Sequence, residues 1–100
     1  MEFKGVAYRF AAKPWKYTGK GAWIFVSLPK KMSGEIRKHF GREDEGWGRL
    51  KATAQIGSSE WKTAVWFDTK AGAYILPLKA EIREKENVVT GKTVKVMVWI

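Results

Sequence analysis

Residues able to carry out catalysis are few in this 100-residue sequence, which contains one histidine and no cysteine. No Ser or Cys nucleophile motif accompanies His39, so general-base chemistry at this residue has little support. Without cysteine, the chain forms neither a disulfide nor a thiolate metal site. No pair of carboxylates stands in a pocket-like context. The sequence therefore favours a binding protein over an enzyme, although a pocket could still act through one Lys or Tyr.

Two short motifs contain ligand-type residues at spacings that match no established site. Glu43, Asp44 and Glu45 offer oxygen ligands for a hard cation but lack the spacing of an EF-hand. The segment Gly19-Lys20-Gly21 lacks the lead residues and the Ser or Thr of a P-loop. We therefore expect a solvated loop and a turn, with no metal site and no cofactor.

Positive charge and aromatic rings are concentrated near the N-terminus. Of the net charge of +9, residues 1–42 contribute ten Lys and Arg against two acids, whereas residues 43–100 contribute nine against eight. Lys and Arg neutralise phosphates and exposed rings stack on bases, so this pattern suggests single-stranded nucleic-acid binding. The candidate residues are Lys13, Trp15, Lys16, Tyr17, Lys20, Arg49 and Lys51. Charge that serves only solubility is the alternative.

The elements that must position these residues are mostly strands, because the hydrophobic period is close to two. Strands are predicted over 3–12, 22–28, 49–56, 60–67, 73–76 and 93–100. Short helices are predicted over 33–40, with Ser33 as its N-cap, and over 79–86. The segment from Leu28 to Arg37 resembles the segment from Leu76 to Arg83. We therefore expect one mainly β domain over 1–100, a closed six-stranded β-barrel with two short helices and pseudo-symmetric ββαβ + ββαβ halves.

A second set of large rings falls on the strand faces opposite the most regular apolar set. Trp23 and Phe25 alternate with Ile24 and Val26, and Trp66, Met97 and Trp99 lie opposite the apolar faces of their own strands. One face per strand is enough to fill a small barrel. The second set is therefore expected either to pack under helices and loops or to form a partner surface, including a homodimer contact.

A pocket at one mouth of the barrel is the leading candidate site. Lys79 and Arg83 lie four residues apart on one predicted helical face, where they could hold an anionic group. Aromatic side chains would form the walls around it. The complete candidate set for a small, anionic or aromatic ligand is Trp23, Trp47, Trp61, Tyr74, Lys79 and Arg83.

Several motifs, in order along nearly the whole chain, resemble the DUF1905 family. They are Gly19 to Pro29, Gly46-Trp47-Gly48, Ile56-Gly57 with Trp61-Lys62-Thr63, Gly72 to Lys79 with Ile82-Arg83, and Gly91. The resemblance implies a small closed β-barrel with short helices and no established activity. The chain departs from the family pattern at Trp66-Phe67-Asp68, where a Phe-Pro pair often precedes the Asp, and at Lys92, where an acid is common.

No apolar run approaches the roughly 18–20 residues that a membrane-spanning helix requires, and the first residues lack a signal-peptide core. We therefore expect a cytoplasmic domain without a membrane partner. Its most favoured function is a small-ligand binding module. Single-stranded nucleic-acid binding and a protein-interaction or homodimer module are the alternatives.

Overall fold

The computed structural model describes residues 5–41 and 48–100. Its elements follow the predicted order, except that an additional two-residue strand precedes the second predicted strand. The elements are β1 (Ala7–Ala12), β2 (Trp15–Lys16), β3 (Ile24–Ser27), α1 (Lys30–Phe40), β4 (Arg49–Ile56), β5 (Ser59–Asp68), β6 (Ala73–Pro77), α2 (Ala80–Lys85) and β7 (Val94–Trp99).

The strands form one antiparallel sheet of seven strands, in the order β1-β7-β4-β5-β6-β3-β2. This sheet is an open half-barrel, so the prediction of a closed six-stranded barrel is wrong. The two edge strands β1 and β2 are separated in the chain only by Lys13 and Pro14. Because β1 pairs with β7 and β2 pairs with β3, residues 7–16 form both edges of the sheet. Within the described residues, no hydrogen-bonded ladder joins the two edges. Pro14 lacks the N–H donor that a continuous strand would need there.

The pairing of the strands has a two-fold pattern. Strand β3 pairs with β6, and β4 pairs with β7. The long strand β5 pairs with both β4 and β6, just as β1 and β2 together pair with β7 and β3. Exchanging the two halves of the chain leaves this set of pairings unchanged. In the pairing itself, the two halves differ at Pro14, where β1 and β2 are interrupted while β5 is continuous.

The core lies on the concave face of the sheet. Along β4, Leu50, Ala52, Ala54 and Ile56 are buried, as the alternation of apolar and polar residues predicts. The fully buried side chains on other strands include Val26, Val65, Leu76 and Val98. The apolar face of each strand therefore fills the interior without using the second set of rings.

Helix α1 packs on β6 and lies near β1. It begins at Lys30, so the prediction that Ser33 caps it is wrong. The Ser33 N–H donates to the Pro29 carbonyl at 2.9 Å, which places Ser33 within the first turn. The buried Ser33 Oγ instead accepts a 2.9 Å hydrogen bond from the Tyr74 N–H of β6. Burial, with the Glu35 carboxylate of α1 as a smaller cause, raises the pKa of Tyr8 on β1.

Candidate functional site

Four aromatic rings meet on the side of the β2–β3 hairpin that points away from the core. Trp15 lies directly opposite Phe25 in the strand register, and their ring centroids are 5.2 Å apart. Trp23 stacks on Phe25 at 6.0 Å with an interplanar angle of 11°, and Tyr17 meets Phe25 edge-on at 6.2 Å. These separations are typical of attractive ring pairs. The Trp15 indole also donates to Ser27 Oγ at 2.9 Å, which fixes its orientation. We call these four rings the aromatic cluster.

The hairpin between β2 and β3 holds Trp23 in place. The Tyr17 N–H donates to the Trp23 carbonyl at 2.9 Å. Gly21 has a φ of +93°, and a Cβ at this position would lie 2.9 Å from Trp23 Cδ1. A side chain at Gly21 would therefore be strained and would displace the indole. The turn and the stacking on Phe25 together determine where the Trp23 ring lies.

Three of the large side chains on this face remain exposed to solvent. The exposed fraction is 55% for Trp23, 46% for Tyr17 and 41% for Trp66. Scattered exposed apolar residues are ordinary, but a group of large rings on one face is typical of a binding surface. Trp23 and Trp66 of the second set of rings are therefore not buried under helices or loops.

Cations accompany these rings on the neighbouring strands. Arg49 of β4 lies directly opposite Trp66 of β5, and its guanidinium carbon is 5.7 Å from the Trp66 ring centroid. This distance lies within the range of a cation–π contact. Lys51 lies two residues after Arg49 on β4 and therefore on the same face. Lys62 of β5 is also on this face, because it is paired with Thr53, a further two residues along β4.

Three connected grooves cross the face and share Trp23 and Pro77. The first, of about 590 Å³, runs along the aromatic cluster to Trp66. The second, of about 630 Å³, contains Arg49, Lys51 and Lys62. The third, of about 390 Å³, lies between Trp23 and the start of α2 and contains Lys79 and Arg83. We call the surface formed by these three grooves the outer face.

The outer face is strongly basic. Its cations are Arg49, Lys51, Lys62, Lys70, Lys79 and Arg83. Asp68 is the one acidic residue, among those described, that lines the three grooves. Its Oδ1 accepts hydrogen bonds from the N–H groups of Lys70 at 3.0 Å and Ala71 at 3.4 Å, so it supports the local turn. The face therefore attracts anions.

The origin of these cations differs from the origin that the sequence suggests. All six come from residues 49–83, whereas the excess of charge along the sequence lies in residues 1–42. Some cations of the first half do not line these grooves. Arg37 of α1 is an example, and its guanidinium carbon lies 4.1 Å from the centroid of the Phe67 ring. The acids Glu81 and Glu86 that balance the second half are on or next to α2 and border a separate polar cleft.

The residues predicted for nucleic-acid binding divide into two groups. Trp15, Tyr17, Arg49 and Lys51 line the outer face. Lys13, Lys16 and Lys20 are exposed but line none of the three grooves. Lys16 is opposite Ile24, which points into the core, so the strand alternation directs it away from the outer face. The predicted set does not include Trp66 and Lys62, although the position of Trp66 opposite the apolar side of its strand is a signal for it in the sequence.

The residues predicted for a small-ligand pocket also divide. Trp23, Lys79 and Arg83 come together in the third groove. Trp61 and Tyr74 do not form its walls, because both occupy inward positions, opposite Ala54 and Phe67, and are only 7% and 2% exposed. Trp61 reaches instead the separate polar cleft beside α2. Trp47 lies outside the described residues.

The lone histidine and the acidic residues are the remaining candidates for catalysis and metal binding. His39 is exposed on α1, with its ring edge-on to Phe40 at 6.4 Å. Within residues 5–41 and 48–100, no three His, Asp or Glu side chains come together in a way that could hold a metal ion. The acidic segment 43–45 lies outside the described residues. In the described part of the chain, no helix is long and apolar enough to cross a membrane.

Comparison with protein families gives a match over most of the chain. A family model described as a domain of unknown function (DUF1905) matches residues 10–98, which is nearly the whole chain. The matched region includes all the strands of the sheet except the first three residues of β1 and the last residue of β7. A search of curated proteins finds no match.

Proposed function

The chain belongs to the DUF1905 family, whose function is unknown, and from its outer face we propose that it is a binding module for single-stranded nucleic acid. One observation carries the proposal: exposed Trp23, Tyr17 and Trp66 share a surface with six Lys and Arg side chains and one acid. Rings that stack on bases and cations that follow the backbone are the two components of non-sequence-specific single-strand binding. We also propose that the domain is cytoplasmic, as the sequence leads us to expect.

The shape of the outer face favours single strands over duplexes. In a duplex the faces of the bases are stacked on one another and are not available to protein rings. Reading the major groove would require a helix or a two-stranded ribbon that enters it. The grooves of the outer face are instead shallow and are lined by residues of the curved sheet, with the start of α2 at one end. Unstacked bases can lie flat against such a surface.

The binding of a small anionic ligand is a second candidate function. Its specific support is that three of the six predicted residues, Trp23, Lys79 and Arg83, line one groove of about 390 Å³. This volume lies within the range of roughly 300–1,000 Å³ found for small-ligand sites. The groove is part of the outer face, so the two candidate functions share Trp23 and are compatible.

Fluorescence anisotropy with a labelled deoxythymidine strand of about 10 nucleotides tests the main proposal, since such lengths match known single-strand sites. We expect binding at about 50 mM salt that weakens steeply as salt is added. A duplex of the same length should bind more weakly. No binding up to roughly 100 μM protein at low salt would refute the proposal.

Trp66→Ala tests whether the outer face is the binding surface. The loss of one base-stacking ring should cost about 1–3 kcal/mol of binding free energy, or roughly 5- to 150-fold in affinity. The control is Val89→Ala, because Val89 is also a large exposed apolar residue but lines none of the three grooves. Equal effects of the two substitutions would contradict the assignment.

Sedimentation across a range of concentrations adds a second check, since a dimer that buries Trp66 would make this face a homodimer contact instead.

A further inference from the structure

We infer that the groove between Trp23 and α2 binds a nucleotide unit with a terminal phosphate, a phosphomonoester attached to a base-bearing sugar. The unit could be the end of a strand or a free nucleoside monophosphate. The strand-end form of the inference rests on the proposed function. The free form deepens the second candidate function and does not depend on single-strand binding, so the two sources can be separated by experiment.

One wall of this groove suits a planar base. Trp23 is 55% exposed, and only one of its two ring faces is stacked on Phe25. Pro77 and Leu78 contribute apolar surface nearby. A base can therefore stack on the open face of Trp23 and extend the existing pair of rings, an arrangement typical of single-strand recognition. The volume of about 390 Å³ is at the lower end of the range for small-ligand sites, which fits one nucleotide better than several.

The other wall suits a phosphate dianion. Lys79 is exposed immediately before α2, and Arg83 follows within α2. The Arg83 Nε donates to the Leu78 carbonyl at 3.1 Å, which orients the guanidinium while its terminal nitrogens remain as further donors. Guanidinium groups bind phosphate oxygens in pairs. Two cations match the charge of a phosphomonoester, about −1.5 to −2 at pH 7, better than the single charge of an internal phosphodiester.

Charge separates this groove from the polar cleft on the other side of Lys79. No acidic residue, among those described, lines the groove between Trp23 and α2. The neighbouring cleft contains Glu60, Glu81 and Glu86, and Glu86 there accepts a hydrogen bond of 2.6 Å from the Ser59 hydroxyl. Three acids outnumber Lys79 and Lys85 in that cleft, whereas Lys79 and Arg83 line the groove between Trp23 and α2 without an acid among the described residues, so a phosphate is attracted more strongly to the groove. The position of Lys79 between them directs an anion towards Trp23.

The experiment compares ligands that differ only in the terminal phosphate. Deoxythymidine strands of about 10 nucleotides carry a 5′-phosphate, a 3′-phosphate or no terminal phosphate, and thymidine monophosphate and inorganic phosphate are titrated separately. We expect one phosphorylated end to raise affinity about tenfold, the effect of a hydrogen bond to a charged group. We also expect thymidine monophosphate to bind more tightly than inorganic phosphate, because only the nucleotide has a base for Trp23.

Two substitutions locate the effect. Arg83→Gln should remove the preference for a phosphorylated end, so that strands with and without a terminal phosphate bind the variant with equal affinity. Lys79→Gln should do the same and is the safer variant, because the exposed Lys79 makes no contact comparable to the Arg83–Leu78 hydrogen bond. The control is Lys85→Gln on the same helix, since Lys85 pairs with Glu81 at 3.9 Å and does not line the groove. Thermal unfolding of each variant confirms that it folds.

Each outcome decides between the inference and the proposed function. Equal affinities of strands with and without a terminal phosphate exclude the strand end as the source of the phosphate. If thymidine monophosphate also fails to bind, the inference is overturned while single-strand binding is left intact. Binding of thymidine monophosphate without binding of any strand overturns the proposed function and supports the nucleotide site. Inorganic phosphate that binds as tightly as the nucleotide overturns the role of Trp23, and a Lys85→Gln effect equal to that of Lys79→Gln overturns the location.

Discussion

The salt dependence of single-strand binding should report how many cations of the outer face contact the phosphate backbone of the nucleic acid. For single strands, the logarithm of the association constant falls with the logarithm of salt concentration by about 0.7 per neutralised phosphate. Six Lys and Arg side chains line the three grooves, so six contacts are the upper limit for this surface. With about three contacts, raising salt from 50 to 200 mM should weaken binding roughly 20-fold, and with six roughly 300-fold.

Lys62→Gln is the substitution that tests this count. Lys62 is exposed on β5, opposite Thr53, and glutamine keeps most of its length without the charge. Its removal should reduce the slope by about 0.7 and lower affinity about fivefold at 0.1 M salt. The free energy of unfolding should change by less than about 0.5 kcal/mol, because the side chain lies on the surface.

The assay is fluorescence anisotropy at several salt concentrations with the original chain, Lys62→Gln and a control variant. Lys31→Gln is the control, because Lys31 is exposed on α1 and lines none of the grooves. The control should retain the slope of the original chain. If both variants lower the slope equally, binding follows net charge alone, and the assignment of the backbone path to the outer face is refuted.

Three further predictions concern the supports of the fold and of the site. Ser33→Ala leaves a buried N–H of β6 without its acceptor and should lower the free energy of unfolding by about 1–3 kcal/mol in urea titrations, unlike Ser58→Ala at an exposed turn. Burial raises the pKa of Tyr8 from its ordinary value of 10.0, so the folded chain holds the phenol proton more tightly, and the free energy of unfolding should fall as pH rises above about 10. Tyr8→Phe should lessen that alkaline loss. Gly21→Ala should displace Trp23 and weaken thymidine monophosphate binding, which calorimetry can measure, and unchanged binding would contradict the role of the turn.

The strands with one buried face could be predicted from the sequence, whereas closure of the sheet could not. On β4, alternation identifies both the strand and its inward side, because a one-residue shift would expose Leu50 and its neighbours. Closure depends on which distant segments pair. The strand order shows that β1 and β2 pair with strands far apart in the sheet, and nothing local to Lys13 and Pro14 encodes those partners.

The candidate site was predicted in part, for a related reason. Summing charge along the chain assigns the basic region to residues 1–42, but a surface collects side chains across strands rather than along them. The pairing of Arg49 with Trp66 is an example of such a contact. Ring type alone makes Trp61 and Tyr74 candidate walls, although alternation places Trp61 on the same side as the buried Val65. The direction in which an aromatic side chain points, as well as its type, decides whether it can line a site.

The interruption at Pro14 connects the open sheet with the proposed function. Because the chain leaves β7 after Ala12 and pairs again with β3 at Trp15, Trp15 comes to lie opposite Phe25. Tyr17 and Trp23 follow in the same hairpin and complete the aromatic cluster. The concave core is already filled by other side chains, so folding does not require these outer rings to be buried. Their substitution should therefore cost affinity for single strands much more than stability, and Trp66→Ala, which removes the most exposed tryptophan outside the cluster among the described residues, is the variant in which the two effects separate most clearly.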